Sequence, residues 1–224
     1  MWGKGMRRVS KKIAWLTVCG FIFLTGYAAV SVLQARRATP EIFAKILAEG
    51  SGTIRLSEVP IRRVEQLLAV EDPGFYQHHG VDLSTPGAGL TTITQAMVKY
   101  LYFDAFHPGF MKVEQTLIAW LAVDPLVSKD DQLEAFINTA YLGHVGGAAI
   151  RGFSHAAKVY FGKRFNELSD EEYLALVAML IAPNSFSVRD HGDKNRERVE
   201  LIKKVLSGEY RLKGNRDVYY GQNV

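Results

Sequence analysis

With a single cysteine, Cys19, among 224 residues, the chain can form no internal disulfide and build no cysteine-rich metal site. It lacks an HExxH-type cluster, and the adjacent His78-His79 cannot aim both rings at one ion from regular structure, so no dedicated metal site is expected. Period-two alternation of apolar and polar residues is nearly missing, which argues against a β-sheet protein. Acidic residues are absent before Glu41, whereas seven basic ones (Lys4, Arg7, Arg8, Lys11, Lys12, Arg36 and Arg37) lie in that stretch. The surplus of +4 is therefore owed to the N-terminal stretch; the remainder holds 20 basic and 23 acidic residues, a net of −3. So mildly acidic a body gives no support to a phosphate-tracking surface, and no nucleic-acid partner is expected.

What is present is 48% hydrophobic, 11% aromatic and 22% charged, a composition able to pack one domain on an anchor. Residues 13–33 carry no charge, and at about 1.5 Å per helical residue they extend roughly 31 Å, enough for a bilayer core. This predicts a single transmembrane helix over 13–33. Five basic residues before it and two after it place the basic tail, residues 1–12, in the cytoplasm and residues 38–224 outside. A cleaved signal peptide is the alternative, but the run is long for one and the site after Leu33-Gln34-Ala35 is poor.

Past the span, Thr39-Pro40 and Gly50 frame a short predicted helix, and Pro60 opens another with apolar residues Ile61, Val64, Leu67 and Leu68 at helical spacing. A turn-rich passage over 72–89 follows, then helices over 92–101 and 110–123. Ser128 and Ser169 each stand three residues before an acid, Asp131 and Glu172, as helix N-caps. A last helix is expected over 195–206, and residues 207–224 read as a polar surface tail. The aromatic residues Tyr100, Tyr102, Phe103, Phe106 and Phe110 fit either a membrane interface or ordinary packing. The fold class is all-α, with one domain over 38–206.

Chemistry concentrates where Glu71-Asp72 ends a predicted helix ahead of Phe75, His78 and Gly80. A carboxylate there meets the negative end of the helix dipole, which with apolar neighbours raises its pKa toward use as a general base. Two surface acids beside a turn would look the same. These residues resemble the first signature of the family-51 glycosyltransferases, the transglycosylase domains of class A penicillin-binding proteins and monofunctional transglycosylases. The segment Gly89-Leu90-Thr91-Thr92-Ile93-Thr94-Gln95-Ala96 with Lys99 resembles the second signature. Ser128-Lys129, Leu133-Glu134 and Asn138 are similar to the fourth, and Ile150-Arg151-Gly152-Phe153 with Tyr160-Phe161-Gly162 looks like the version in the bifunctional class A penicillin-binding proteins. The likeness covers residues 61–206, in order.

The resemblance implies a lysozyme-like helical domain that polymerises a lipid II-type lipid-linked disaccharide-pentapeptide into glycan strands and releases a polyprenyl diphosphate. Glu71 would be the base, Lys99, Lys112 and Arg198 would hold diphosphate charge, and Asp72, Phe75, His78, Thr92 and Gln95 would complete the substrate site. No cofactor is required, although a divalent cation, Mg or Mn, is admissible at the diphosphate. The partners implied are the precursor, the glycan strand, the membrane and other cell-wall synthases, at the bacterial cytoplasmic membrane with the domain on its outer side. Several positions depart from the pattern. Met111 stands at the third signature's arginine and Gln115 at its glutamate, with Glu114 one residue away. Thr91, Leu90, Ala96 and Glu197 are further replacements, and the 82–89 connection is short. An impaired relative that binds glycan or precursor and regulates cell-wall synthesis is thus the second reading. No lysine has a serine three residues before it, so the Ser-x-x-Lys nucleophile of the transpeptidases is absent.

Overall fold

A computed structural model describes residues 2–48, 50 and 52–221, with side chains from residue 14 onward. Helix α1, Trp2–Leu47, takes in both the predicted basic tail and the predicted span. Its described stretch Ala14–Leu47 is long and apolar enough to cross a membrane. Trp15, Leu16, Phe21, Ile22 and Phe23 stand exposed, as lipid-facing side chains would. From residue 35 on, one face turns inward: Ala35, Thr39 and Phe43 repeat every four residues and are buried. The separate helix expected to begin at Thr39-Pro40 does not exist, because α1 runs through Pro40 unbroken. A helix-interior proline removes its own amide from the ladder and crowds the carbonyl four residues back, here that of Arg36. The cost is offset by packing of Ala35, Thr39 and Phe43 along the seam and by side-chain bonds beside it, Thr39 Oγ1 donating to the Ala35 carbonyl at 2.7 Å and the Arg36 guanidinium to the Leu121 carbonyl.

The body is helical: α2 Ile61–Glu71, α3 Ile93–Leu101, α4 Phe110–Ile118, α5 Lys129–Thr139, α6 Phe153–Phe161, α7 Asp170–Met179 and α8 Gly192–Leu206. A π turn, Ala119–Val123, continues α4. The N-caps expected at Ser128 and Ser169 are in place and Thr92 caps α3 as well; Ser128, Ser169 and Thr92 accept from the backbone amides three residues on, those of Asp131, Glu172 and Gln95. A small antiparallel hairpin of β1, Tyr141–Val145, and β2, Ala148–Arg151, interrupts the helices, with Val145 opposite Ala148 and Tyr141 opposite Arg151. Its turn is Gly146-Gly147, both at positive φ, the conformation that suits a two-residue hairpin. A register irregularity between Tyr141 and His144 and two adjacent buried residues, Leu142 and Gly143, erase the alternation that would have announced it.

One core joins these pieces. Leu67, Met97, Leu133, Ala156 and Leu176, from α2, α3, α5, α6 and α7, are all essentially inaccessible. The fourth-signature residues do structural work in it. Glu134 accepts from the Leu56 amide and from Arg55, while Asn138 pairs with both the amide and the carbonyl of Ile54, so α5 pins the strand-like entry to the domain. Residues 207–221 are not the free tail expected from their polarity. Tyr220 is buried, and the backbone amides of Gly87 and Gly89 donate to the carbonyls of Gly214 and Asn215.

Beneath the site, Arg63 of α2 is buried between the rings of Phe165 and Tyr173, 5.3 and 5.2 Å from their centroids. It donates to the carbonyls of Phe165 and Leu168, and Tyr173 Oη returns a bond to the Arg63 carbonyl. Arg63→Met keeps the apolar stem but strands two buried carbonyls, so it should cost about 2–4 kcal/mol and lower the midpoint of thermal unfolding. Arg62→Met next door removes only an exposed pair with Asp170 and should cost under about 0.5 kcal/mol. Equal midpoints for the two variants would contradict this account.

Candidate active site

The last turn of α2 carries the candidate base. Asp72, at the C-cap, is fully buried; its carboxylate accepts from His78 Nε2 at 3.0 Å and from the Ile93 amide at 2.9 Å. The end of α2 is thereby tied to the start of α3, and Glu71 is left facing a cleft of roughly 410 Å³. No side chain among the described residues hydrogen-bonds the Glu71 carboxylate. Burial is the main reason its pKa is pushed up to about 7; the neighbouring Asp72 charge adds to the rise and the Arg198 guanidinium opposes it.

Three cations share the cleft with that one carboxylate: Lys99 from α3, Lys112 from α4 and Arg198 from α8. Lys112 Nζ donates to Thr91 Oγ1 at 2.7 Å, and its pKa is lowered by burial and by the charge of Lys99. Lys99 Nζ lies 5.5 Å and 5.6 Å from the ring centroids of Tyr100 and Phe106. Arg198 is buried, donates through Nη1 to the Val218 carbonyl at 3.1 Å, and has no partner for Nε among the described residues. Gln115 also reaches the cleft. Its Nε2 donates to the Gln95 carbonyl at 2.5 Å while its buried Oε1 accepts nothing among the described residues. Like charges gathered around uncommitted buried polar atoms cost free energy unless an anion joins them. Such a pocket suits a diphosphate, with one carboxylate poised to take a proton.

The remaining expected site residues lie behind the wall of the cleft. Phe75 is core, packed edge-on to Tyr76 and His78 and facing Lys129. His78 is spent on Asp72. Thr92 and Gln95 form a reciprocal capping box at the start of α3, where Thr92 Oγ1 also donates to the Gly80 carbonyl and Gln95 Nε2 to Thr116 Oγ1. Asp72, Phe75, His78, Thr92 and Gln95 thus shape the site rather than line it. Glu114, the neighbouring carboxylate that a shifted backbone would bring inward, is turned the other way and accepts from Ser31 of α1, in a separate groove that Met111 also lines. Among the described residues no group of three or more His, Cys, Asp or Glu could hold a metal ion, and the donor set of the cleft, mostly cationic, does not fit one.

Sequence reasoning passed over Thr91 as a partner of Lys112, and over Tyr100 and Val218 as lining. Tyr100, directly after Lys99, was within reach of inspection. Nothing in the sequence linked Val218 to Glu71 across nearly 150 positions.

The family model described as Transglycosylase matches residues 40–207. Penicillin-binding protein 1B of Vibrio cholerae is 33% identical over 166 residues, which cover 68% of this chain and 21% of that protein. Penicillin-binding protein 1F of Bacillus subtilis is 31% identical over 172 residues, 71% of this chain and 23% of the relative. Penicillin-binding protein 1B of Escherichia coli is 32% identical over 163 residues, with coverages of 67% and 19%. The chain therefore matches only about a fifth of the length of these relatives. With the family model spanning helices α2 to α8, the chain belongs to the transglycosylase family.

Proposed function

We propose that the cleft polymerises a lipid-linked disaccharide-pentapeptide into peptidoglycan glycan strands, with inversion at the anomeric carbon and release of polyprenyl diphosphate. In this reading the Glu71 carboxylate takes the proton from the acceptor sugar's 4-hydroxyl as that oxygen attacks the donor's anomeric carbon. The bond from that carbon to the diphosphate breaks, and its electron pair leaves on the diphosphate oxygen. Lys99, Lys112 and Arg198 stabilise the charge that accumulates there, and preorganised charges in a desolvated site act far more strongly than in water. The carrying observation is the juxtaposition of one carboxylate, its pKa raised to about 7, with three cations in one cleft. A base poised near neutrality is matched to general-base work. Charge neutralisation falls to the three side chains, and no step runs through a metal. The apolar half of α1 would hold the domain at the membrane where the lipid-linked donor resides, with residues 38–224 on the outer side.

A test incubates detergent-purified full-length protein with labelled precursor and resolves the products by gel. Polymer is expected from the native protein, and Glu71→Gln should lower the rate by about 10²–10⁴ with precursor binding nearly unchanged. Polymer made equally well by Glu71→Gln would end the assignment of Glu71 as base.

One observation favours a second reading, a precursor-binding regulator: the buried amide of Gln115 stands where the family's second glutamate is expected. Gln115→Glu separates the two. If the native protein polymerises, the added carboxylate among three cations should change the rate by less than about tenfold. Polymer that emerges only in Gln115→Glu would make the native chain a binding protein.

A further inference from the structure

The segment after α8 does something that no signature describes. Residues 210–221 fold back over the short 82–89 connection and are joined to it by backbone bonds, Gly87 N to Gly214 O at 3.0 Å and Gly89 N to Asn215 O at 2.8 Å. Asn215 Nδ2 adds a bond to the Thr85 carbonyl. The fit at Gly87 is close. At φ +81° it takes a conformation that favours glycine, and a Cβ there would lie 2.6 Å from Leu212 Cδ1. The segment is also tied to itself. The Asp217 carboxylate accepts from the amides of Lys213 and Gly221, both at 3.0 Å, and from Tyr210 Oη at 2.8 Å. Those three bonds close a loop that presents Val218, Tyr219 and Tyr220 in a row.

That row is aimed at Arg198. The Val218 carbonyl accepts from Nη1, and the guanidinium carbon lies 5.1 Å from the Tyr220 ring centroid and 5.8 Å from that of Tyr219. Val218 itself lines the cleft that contains Glu71. Phe186, outside the strap, faces the same guanidinium at 5.5 Å, and an arginine held by a carbonyl and three ring faces has lost most of its rotamers before any ligand arrives, which lowers the entropic cost of gripping one. Tyr220 adopts φ 57°, uncommon for a non-glycine residue, and its buried Oη has no partner among the described residues. Its ring packs against Arg198 and, at 6.3 Å between centroids, against Tyr210.

We infer that residues 210–221 are a positioning strap, clasped by Asp217, that builds one wall of the cleft and holds Arg198 beside Glu71 in the place left by the short 82–89 connection. Asp217, Tyr219 and Tyr220 act through Arg198 and touch no reacting atom. The inference rests on the glycosyl-transfer reading for its purpose, but its test does not depend on turnover.

The test uses full-length protein in detergent with carboxyl-¹³C-labelled glutamate, the Glu71 signal being the one absent from Glu71→Gln. Its titration is followed by NMR, and affinity for farnesyl diphosphate, a probe for the leaving group, by calorimetry. Because the Arg198 charge holds the Glu71 pKa down, releasing the strap should move the titration above about 7. Asp217→Ala should do so and weaken the probe about tenfold. Tyr219→Ala, which removes one half-buried ring, should shift both readouts in the same direction. An Asp217→Ala protein with native unfolding midpoint, titration and affinity would overturn the inference; if that variant does not fold, unchanged readouts in Tyr219→Ala overturn it instead. A native protein that makes no polymer but whose strap variants shift Glu71 would sink the glycosyl-transfer reading and keep the strap.

Discussion

The buried carboxylate of Asp72 is the tie on which the cleft depends. By accepting from the Ile93 amide and His78 Nε2 it fastens the C-terminal end of α2 to the N-terminal end of α3. Glu71 and Lys99, carried by these two helices, are therefore placed in one cleft by a single side chain. A buried carboxylate is costly unless its acceptor sites are filled, and here a ring N–H and a backbone amide fill them. The Thr92–Gln95 capping box then fixes the first turn of α3, and Gln115 reaches the Gln95 carbonyl from α4. Positions that the resemblance would assign to substrate contact are, in this chain, the frame that sets the contact residues.

Electrostatics follow from that frame. Burial makes the Glu71 carboxylate retain its proton to near neutrality, and Arg198 limits how far the effect goes. Burial disfavours the charge of Lys112, and the nearby charge of Lys99 adds to the effect. Like charges gathered in a desolvated cleft are relieved by an anion, and the same desolvation raises the pKa of Glu71.

Much of this was legible in the chain, for identifiable reasons. Apolar spacing and caps such as Ser128 and Ser169 are local signals, and the helices they start lie where expected. Glu71, Lys99, Lys112, Gln115 and Arg198, distant in sequence, line one cleft. The failures were of non-local origin. Pro40 promised a helix boundary, but tertiary packing of Ala35, Thr39 and Phe43 carried α1 past it. The β1–β2 hairpin offered only Gly146-Gly147 as a sign. The polarity of 207–221 suggested exposure because its burial consists of backbone bonds to Gly87 and Gly89 and of rings against Arg198, none of which has a sequence period.

The central claim is that desolvation turns Glu71 into a base poised near neutral pH. The most direct measurement is the pH dependence of kcat/KM for polymerisation of the lipid-linked precursor by the full-length protein. Because the ionised carboxylate is the reactive form, the rate should rise as pH increases through about 7. A profile whose rising limb lies near 4.5, the ordinary glutamate value, would contradict the account.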